Sequence, residues 1–397
     1  MIRLGLIGAN PDRGWALGAH LPALRHLPEY EVVAVGTSRE ETARRAVPVY
    51  GATRAYTSAA ELVEDPDVDL VVLTVKVPLH AEIVGTALAA GKNVLCEWPL
   101  GNGLAEAELL LEQARRQQLR HFIGLQARAA PAIRFLRDLV ADGYVGEVLS
   151  SSVVASGFGW GACIDDSQAY LFDSANGATM RTVTGGHLLD AVRSCLGDPH
   201  DVVALTAQRR RSVAVLEVPE IERVRRFQAV LTAPGQLSAD SQSSIMTRET
   251  RPTEVADQVV FAGVLENGAV LSVHLRGGQF RSTNFLWEIN GTEGDLQVEA
   301  GGGTIQIYPL TIRGARGATG ELAVIEVPES YQDPALAGLS GAALNMGYLY
   351  RAVAADLRER TALAPDFSTA VEAHRLLDAI TQAAGPGSPA LGGAVAR

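Results

Sequence analysis

The feature that most constrains the fold is an alternation of short apolar runs and helical patterns over residues 1–125. The apolar runs are rich in aliphatic and β-branched residues and lack polar alternation, as strands covered on both faces do. They are RLGLIGA (3–9), EVVAVGT (31–37), VDLVVLTV (68–75), NVLCE (93–97) and HFIGLQ (121–126). Because segments with helical apolar spacing separate them, the alternation predicts a doubly wound parallel sheet.

The pattern changes after about residue 126. A helical segment, AAPAIRFLRDLVADGYVG, has a proline in its first turn and a glycine after its end. Longer and more polar strands follow at 147–156, 201–208, 257–278 and 284–299, with ENG and NGTEG as hairpin turn signals. Helical patterns return at 343–360 and 367–382. We therefore expect an α+β domain with a large open, mostly antiparallel sheet.

The first strand runs into GLIGANPDRGWALGAH, a turn suited to a dinucleotide. Backbone N–H groups of a Gly-rich turn and the following helix N-terminus can approach a pyrophosphate. The usual G-x-G-x-x-G spacing is absent, because Asn10 stands at the second glycine position between Gly8 and a late Gly14. An ordinary strand–helix turn is the alternative, and the surrounding alternation favours the dinucleotide loop of a Rossmann domain.

The end of the second strand indicates which dinucleotide is bound. A carboxylate at this point accepts hydrogen bonds from the ribose 2′-OH of NAD, but Thr37, Ser38 and Arg39 stand here instead. Hydroxyls and a guanidinium can surround a 2′-phosphate, so the sequence favours NADP, with NAD possible and with Ser38 and Arg39 as ligands. The alternative is that Ser38 caps the next helix and Arg39 is solvated.

Composition bounds the domain organisation and the partners. The 397 residues, 47% of them apolar, suit a globular protein of two domains. We divide the chain into a dinucleotide-binding Rossmann domain (1–126), a substrate and oligomerisation domain (127–382) and a disordered tail (383–397). The net charge of −11 argues against a nucleic-acid partner.

The cysteines and the chain's apolar runs indicate the compartment. Cys96, Cys163 and Cys195 are far apart and fit neither a disulfide framework nor a zinc site, so we expect no metal and a reducing environment. No signal peptide opens the sequence, and no apolar run reaches the roughly 18–20 residues of a membrane helix. We expect a cytoplasmic protein without a membrane partner.

The run HAEIVGTALAAGKNVLCEWPL, with LVADGYVGEV and NGTEGDLQVE further on, resembles the dehydrogenases named after glucose–fructose oxidoreductase, inositol dehydrogenase and MocA. The resemblance extends to about residue 382. It implies a nicotinamide cofactor, a sugar, polyol or keto-sugar substrate, and a homodimer or homotetramer formed through the open sheet. It also implies further cofactor-binding residues: Trp15, Thr74, Val75, His80 and Glu97.

Two positions depart from the family's pattern. The family's E-K-P motif reads EWP here, so Trp98 replaces a lysine that can polarise the reacting oxygen. In VTGGHLLD, Val183 takes the place of an aspartate that usually precedes the histidine by four residues. These features, the long first loop and LQARAAP resemble the branch that contains the fungal galactose-regulon repressor, which binds a dinucleotide but acts on a transcriptional activator.

The remaining polar groups supply the catalytic candidates. An imidazole with a pKa near about 6.5 can exchange a proton with a hydroxyl, which favours His187; the alternative is a capping or structural histidine. Lys76 ends the third predicted strand, at the edge where doubly wound sheets bind ligands, and could hold a cofactor phosphate or contact the substrate. We expect Lys92, at the opposite end of the fourth strand, to face solvent.

Residues 157–180 carry aromatic, acidic and amide side chains suited to a sugar-like ligand. The substrate-binding candidates are Trp98, Arg128, Trp160, Tyr170, Asp173 and Asn176. For Arg128 the alternative is an interdomain carboxylate as partner, and for 157–180 it is a surface excursion with a helix cap. The sequence favours an NAD(P)-dependent oxidoreductase acting on a sugar, polyol or keto-sugar. A catalytically silent, dinucleotide-binding regulator is the alternative, and a non-redox use of the cofactor is a third.

Overall fold

A computed structural model describes residues 1–219, Glu222, 247–317 and 320–385. The described residues cluster into two compact units. The first contains 1–130 and 333–374, and the second contains most of 131–332 together with 375–385. The predicted tail largely lies outside the described residues, and its first two residues belong to a helix that continues to Ala384.

The first unit is built on six parallel strands in the order β3-β2-β1-β4-β5-β6, which confirms the doubly wound sheet. The strands are β1 Ile2–Ile7, β2 Tyr30–Gly36, β3 Arg54–Tyr56, β4 Leu70–Leu73, β5 Asn93–Glu97 and β6 His121–Gly124. The four residues of β4 are all buried, as a strand covered on both faces requires. Edge strand β3 has no counterpart among the predicted strands, because its three residues contain no apolar run.

Helices connect these strands. They are α1 Leu21–Leu24, α2 Glu40–Tyr50, α3 Ala59–Glu64, α4 His80–Ala89 and α5 Leu104–Arg116, with a π-helical turn Ala16–His20 before α1. Sequence signals set some ends: α2 stops at Gly51, whose φ of 71° is left-handed, and the Ser58 hydroxyl accepts a bond from the N–H of Glu61 at the start of α3.

Two C-terminal helices, α8 Gly341–Glu359 and α9 Phe367–Ala384, also contribute to the first unit. Tyr348, Leu349, Tyr350 and Val353 of α8 are buried, and the Tyr30 hydroxyl donates to the carbonyl of Tyr350 at 2.6 Å. Residues 333–374 thus cluster with the first unit, whereas the sequence-based division assigns them to the second domain. The apolar spacing of a helix in the sequence shows which face of the helix is buried, but it does not show which part of the chain packs against that face.

The second unit contains an eight-stranded sheet in the order β17-β16-β15-β14-β7-β13-β12-β9. Only β7 and β13 pair in parallel among these neighbours, so the predicted mostly antiparallel sheet is confirmed. Its strands are β7 Val148–Gly157, β9 Pro199–Ala207, β12 Gln258–Leu265, β13 Val270–Gly277, β14 Phe285–Gly291, β15 Gly294–Ala300, β16 Thr311–Arg316 and β17 Ala323–Val324.

One face of this sheet is buried around Trp287, whose Nε1 donates to the hydroxyl of Ser151 at 2.9 Å. Helices α6 Pro131–Ala141 and α7 Gly186–Leu196 belong to the same unit and contact each other. A smaller sheet, β11-β10-β8, was absent from the sequence prediction and consists of β8 Cys163–Asp165, β10 Ser212–Leu216 and β11 Thr247–Pro252. Its first strand is too short to produce a recognisable alternation.

Candidate functional site

The loop after β1 depends on two glycines. Gly8 has φ +94°, and a Cβ there would lie 2.6–2.9 Å from the hydroxyl and backbone of Thr74. Gly14 has φ +102° with open space around it, so its conformation alone favours glycine. The N–H groups of Gly8 and Ala9 donate to the carbonyl of Gly36 at 2.9 and 3.2 Å. The loop is thereby held between β2 and β4, at the crevice where doubly wound sheets bind dinucleotides.

Asn10 fixes the shape of this loop from within. Its Oδ1 accepts hydrogen bonds from the N–H groups of Asp12 (2.9 Å) and Arg13 (3.3 Å), and its carbonyl accepts one from the hydroxyl of Tyr50 (2.8 Å). The indole N–H of Trp15 is buried without a hydrogen-bond partner among the described residues. An orphaned donor beside a glycine cradle fits a loop that closes around a dinucleotide.

Ser38 and Arg39 have exposed side chains at the end of β2. Arg39, with φ −138°, occupies the N-cap of α2, and no side chain makes a capping bond there. The Thr37 hydroxyl donates to the carbonyl of Arg39 at 3.0 Å. Ser38 is therefore not the helix cap that the alternative interpretation required, and both side chains are accessible to a ligand.

His80 holds together the loops that follow β4 and β5. Its Nδ1 lies 2.7 Å from the carbonyl oxygen of Pro99, and its Nε2 lies 3.0 Å from that of Val75. The Thr74 hydroxyl donates to the carbonyl of Ile7 at 3.0 Å, which ties the same edge to β1. Burial lowers the pKa of His80. These residues shape the edge of the sheet through backbone contacts.

The two lysines lie at opposite edges of the sheet. Lys76 is exposed just after β4, at the carboxyl edge. Lys92 precedes β5, but the prediction that it faces solvent is wrong. Its Nζ donates to the carbonyls of Asp65 and Val68 at 2.7 and 2.9 Å, because the loop before β4 presents carbonyls that need donors.

Glu97 belongs to a buried hydrogen-bonded chain. Its Oε1 lies 2.9 Å from Nε2 of His20, and Nδ1 of His20 lies 2.7 Å from the hydroxyl of Tyr350. A Cβ on Gly124 would lie 2.7 Å from the Glu97 carboxylate, so this carboxylate needs a glycine on the neighbouring strand. His20 and Tyr350 could not be identified from the sequence, because no local pattern links residues 330 positions apart.

Trp98 is 5% exposed and packs against His374 of α9, with ring centroids 4.7 Å apart and an interplanar angle of 39°. Burial lowers the pKa of His374 to about 4. Gln126 follows β6 and is completely buried, in the same 3₁₀ turn as the half-exposed Arg128. His374 and Gln126 could not be identified from the sequence. Their only local signal is a polar residue among apolar neighbours, which many solvent-facing positions share.

The candidates in 157–180 bond mostly to one another. Trp160 is 5% exposed, and its Nε1 donates to the carbonyl of Leu171 at 3.2 Å. Asn176 donates to the Asp173 carboxylate (3.0 Å) and the Tyr170 carbonyl (3.3 Å), and Asp173 caps a 3₁₀ turn. Burial raises the pKa of Tyr170. These contacts form a local turn; the substrate-binding role of its residues stays a prediction.

His187 is the second residue of α7 and is 4% exposed. It does not cap the helix, because a π-helical segment, Arg181–Gly185, runs directly into α7. Burial lowers the pKa of His187 to about 3, so the imidazole is neutral at physiological pH. Its Nδ1 and the hydroxyl of Thr184 have no hydrogen-bond partner among the described residues.

The sequence-based candidates thus fall on both units. The first unit holds Gly8, Asn10, Gly14, Trp15, Ser38, Arg39, Thr74, Val75, Lys76, His80, Glu97, Trp98 and Arg128, and the second holds Trp160, Tyr170, Asp173, Asn176 and His187. Within the described ranges, no group of three or more His, Cys, Asp or Glu side chains could hold a metal ion. None of the helices described there is long and apolar enough to cross a membrane.

Two family profiles match the chain. Residues 2–125 match an oxidoreductase family with an NAD-binding Rossmann fold, and residues 131–240 and 226–300 match the C-terminal domain of Gal80p. Dehydrogenase aclE of Aspergillus oryzae is 36% identical over 50% of this chain and 55% of its own length. The chain therefore spans about half the length of that relative.

Two further similarities cover more of the chain. The galactose/lactose metabolism regulatory protein GAL80 of Saccharomyces cerevisiae is 26% identical over 78% of this chain and 69% of its own length. A super-repressor mutant of that protein superimposes with a TM-score of 0.81 over 96% of this chain and 95% of its own, at 21% identity. Levoglucosan dehydrogenase in complex with NADH and L-sorbose gives a TM-score of 0.78 at 18% identity, covering 97% of both chains.

Proposed function

The chain belongs to the Gfo/Idh/MocA oxidoreductase family, and we propose that it is an NAD(P)-dependent oxidoreductase that acts on a sugar, polyol or keto-sugar. The loop after β1 carries this proposal. Its glycine cradle at Gly8, and the indole N–H of Trp15 that has no partner within the described part of the chain, suit a bound dinucleotide. The substrate class is supported by levoglucosan dehydrogenase, whose structure holds NADH and L-sorbose.

The bound nicotinamide would exchange a hydride with the substrate carbon, while a protein group takes up the proton of the hydroxyl. We propose that His187 takes up this proton, because its Nδ1 has no hydrogen-bond partner among the described residues. With a pKa of about 3 it is a weak base, and not the base with a pKa near 6.5 that the sequence predicts. Lys76, exposed at the carboxyl edge of the first sheet, is proposed to bind a cofactor phosphate or the substrate. The proposed substrate contacts are Trp98, Arg128, Trp160, Tyr170, Asp173 and Asn176.

Replacing His187 tests the enzyme assignment. We expect His187→Asn to lower turnover by roughly 10²–10⁴-fold, because a positioned acid or base contributes about that much, while dinucleotide affinity stays unchanged. Turnover is measured as the absorbance change of NADPH or NADH across a panel of sugars, inositols and keto-sugars. His200→Asn, at an exposed histidine of β9, is the matched control. Tight dinucleotide binding without turnover of any compound in the panel would contradict the proposed oxidoreductase activity.

Arg39 tests the preference for NADP. We expect Arg39→Ala to weaken NADPH binding by about 10–100-fold and to leave NADH binding unchanged, because a charge-assisted hydrogen bond contributes about 1.5–3 kcal/mol. The two affinities are measured by fluorescence titration. Arg44→Ala, which removes an exposed guanidinium paired with Glu40 on the same helix, is the control. An unchanged ratio of the two affinities would contradict the 2′-phosphate assignment.

A catalytically silent, dinucleotide-binding regulator is the second candidate. One observation favours it: Trp98 is packed against His374, so an indole fills the position at which the family pattern has a lysine. An indole can donate one N–H but cannot relay a proton as an amine does. The similarity to GAL80, a regulatory protein, supports the same candidate.

We also propose that the protein is a cytoplasmic homodimer or homotetramer without a nucleic-acid partner. Exposed apolar side chains on the outer face of the eight-stranded sheet support this assembly. Leu205 pairs with Val260 across β9 and β12, Val203 lies two residues away, and all three are at least 39% exposed. An apolar patch of this kind is typical of an interface. A monomeric mass by light scattering would reject the assembly.

A further inference from the structure

Two buried polar side chains in the first unit lack the hydrogen bonds that such groups normally make. Neither amide atom of Gln126 has a partner among the described residues, and Nε2 of His374 has none either. Gln126 is 0% exposed and His374 is 4% exposed. An unsatisfied buried group destabilises a protein by about 1–3 kcal/mol, and such groups are rare. A ligand that supplies the missing bonds would explain why both are present.

The sheet register places Gln126 at the ligand-binding edge. β5 and β6 pair in parallel with Glu97 beside Gly124, so Trp98 and Gln126 both lie just past the carboxyl ends of neighbouring strands. In doubly wound sheets, ligands bind outside these ends.

α9 brings His374 to the same edge. The helix begins near the amino end of β6, where Phe367 stacks on His121 with ring centroids 4.9 Å apart. Seven residues later, about 10 Å along the helix axis, His374 stacks on Trp98. The helix therefore runs along the strands towards their carboxyl ends. It brings the imidazole of His374, whose Nε2 has no hydrogen-bond partner among the described residues, beside the indole.

We propose that Gln126 and His374 bind a neutral ligand group that carries both a hydrogen-bond donor and an acceptor. The amide of Gln126 offers two N–H donors and an acceptor oxygen, and the uncharged imidazole nitrogen of His374 adds a further donor or acceptor. A primary carboxamide or a pair of vicinal hydroxyls matches this set, whereas a phosphate or carboxylate would find no counter-charge on either side chain. The indole face of Trp98 suits a flat or weakly polar ring alongside.

This inference rests on the proposed function, which supplies two sources of such a group: the carboxamide of the nicotinamide and the hydroxyls of the substrate. Titration calorimetry of Gln126→Leu and His374→Phe distinguishes them. The probes are NADPH, NADH and ADP-ribose, which lacks the nicotinamide, and then L-sorbose added to the dinucleotide-loaded protein. If the carboxamide is bound, dinucleotide affinity falls at least about tenfold while ADP-ribose affinity is unchanged. If the substrate is bound, only L-sorbose affinity falls by that factor.

Two matched variants control for loss of packing. His121→Phe replaces a histidine that also packs against α9 but accepts a bond from the N–H of Phe367, and Gln113→Leu replaces a glutamine that donates to the carbonyl of Gly85. We expect both controls to leave ligand affinities unchanged and to lower the free energy of unfolding. The two test variants should keep or raise it in the ligand-free protein, because they remove unsatisfied groups.

If both test variants bind the dinucleotides and L-sorbose with wild-type affinity, the inference about Gln126 and His374 is overturned, whereas the proposed function is not. A wild-type protein that binds neither the dinucleotides nor ADP-ribose would contradict the proposed function, and the inference with it.

Discussion

Lowering the pH from about 7.5 to about 5 is expected to destabilise the protein, and two buried histidines that stay neutral in the folded state contribute about 4 kcal/mol of this loss. Burial lowers the pKa of His374 to about 4 and of His187 to about 3, from an ordinary value near 6.5. Above about pH 6.5 neither the folded nor the unfolded state protonates these histidines, and the full stability of the folded protein is retained. Below it the unfolded chain binds protons that the folded protein cannot, so stability falls by about 1.4 kcal/mol per pH unit for each histidine.

The measurement is the free energy of unfolding by urea at the two pH values. We expect His374→Gln to remove about 2 kcal/mol of the pH-dependent loss, since glutamine does not titrate. His26→Gln, at an exposed histidine of the same unit, should leave the loss unchanged. An equal pH dependence in the wild type and His374→Gln would show that this imidazole is protonated or exposed in the folded protein.

Gly8→Ala is expected to lower the free energy of unfolding by several kcal/mol and to weaken dinucleotide binding by at least about 100-fold. A residue with a Cβ held at positive φ costs about 1–3 kcal/mol, and here the new methyl group would also lie 2.6–2.9 Å from Thr74. Because those atoms include the backbone of Thr74, the steric clash can be removed only if the loop moves away from the edge of the sheet. Chemical unfolding and fluorescence titration with NADPH measure the two effects.

Gly51→Ala is the matched control for this variant. Gly51 also has a positive φ, +71°, but it ends α2 and has open space around its Cα. We expect a loss of about 1 kcal/mol in stability and no change in dinucleotide affinity. If Gly8→Ala bound NADPH as tightly as this control, the loop after β1 would not be the dinucleotide site.

Strand positions in both units could be predicted from the sequence. The continuous apolar run of β4 requires burial on both faces, and the NGTEG turn forces Phe285–Gly291 and Gly294–Ala300 into a hairpin. The loop glycines could also be predicted, since a backbone with positive φ strongly favours glycine over other residues. The short strands β3 and β8 carry no comparable signal, because three residues cannot show a period.

The polar contacts of the candidate site could not be predicted. Glu97, His20 and Tyr350 form one hydrogen-bonded chain although 330 positions separate the last two. Trp98 could be recognised from the sequence as the departure from the family pattern, but its partner His374 could not. Nothing in the pattern of α9 distinguishes a histidine stacked on an indole from one that faces solvent.

By itself the sequence determined the doubly wound sheet, the mostly antiparallel sheet and the place of the glycine loop after β1, because periodicity and glycine conformation are properties of neighbours along the chain. Only the tertiary structure decided that α8 and the start of α9 join the first unit, and that the amide of Gln126 and Nε2 of His374 are buried without a hydrogen-bond partner among the described residues. Burial, pKa and hydrogen bonding depend on which distant segments pack together, and that packing is set by the fold as a whole.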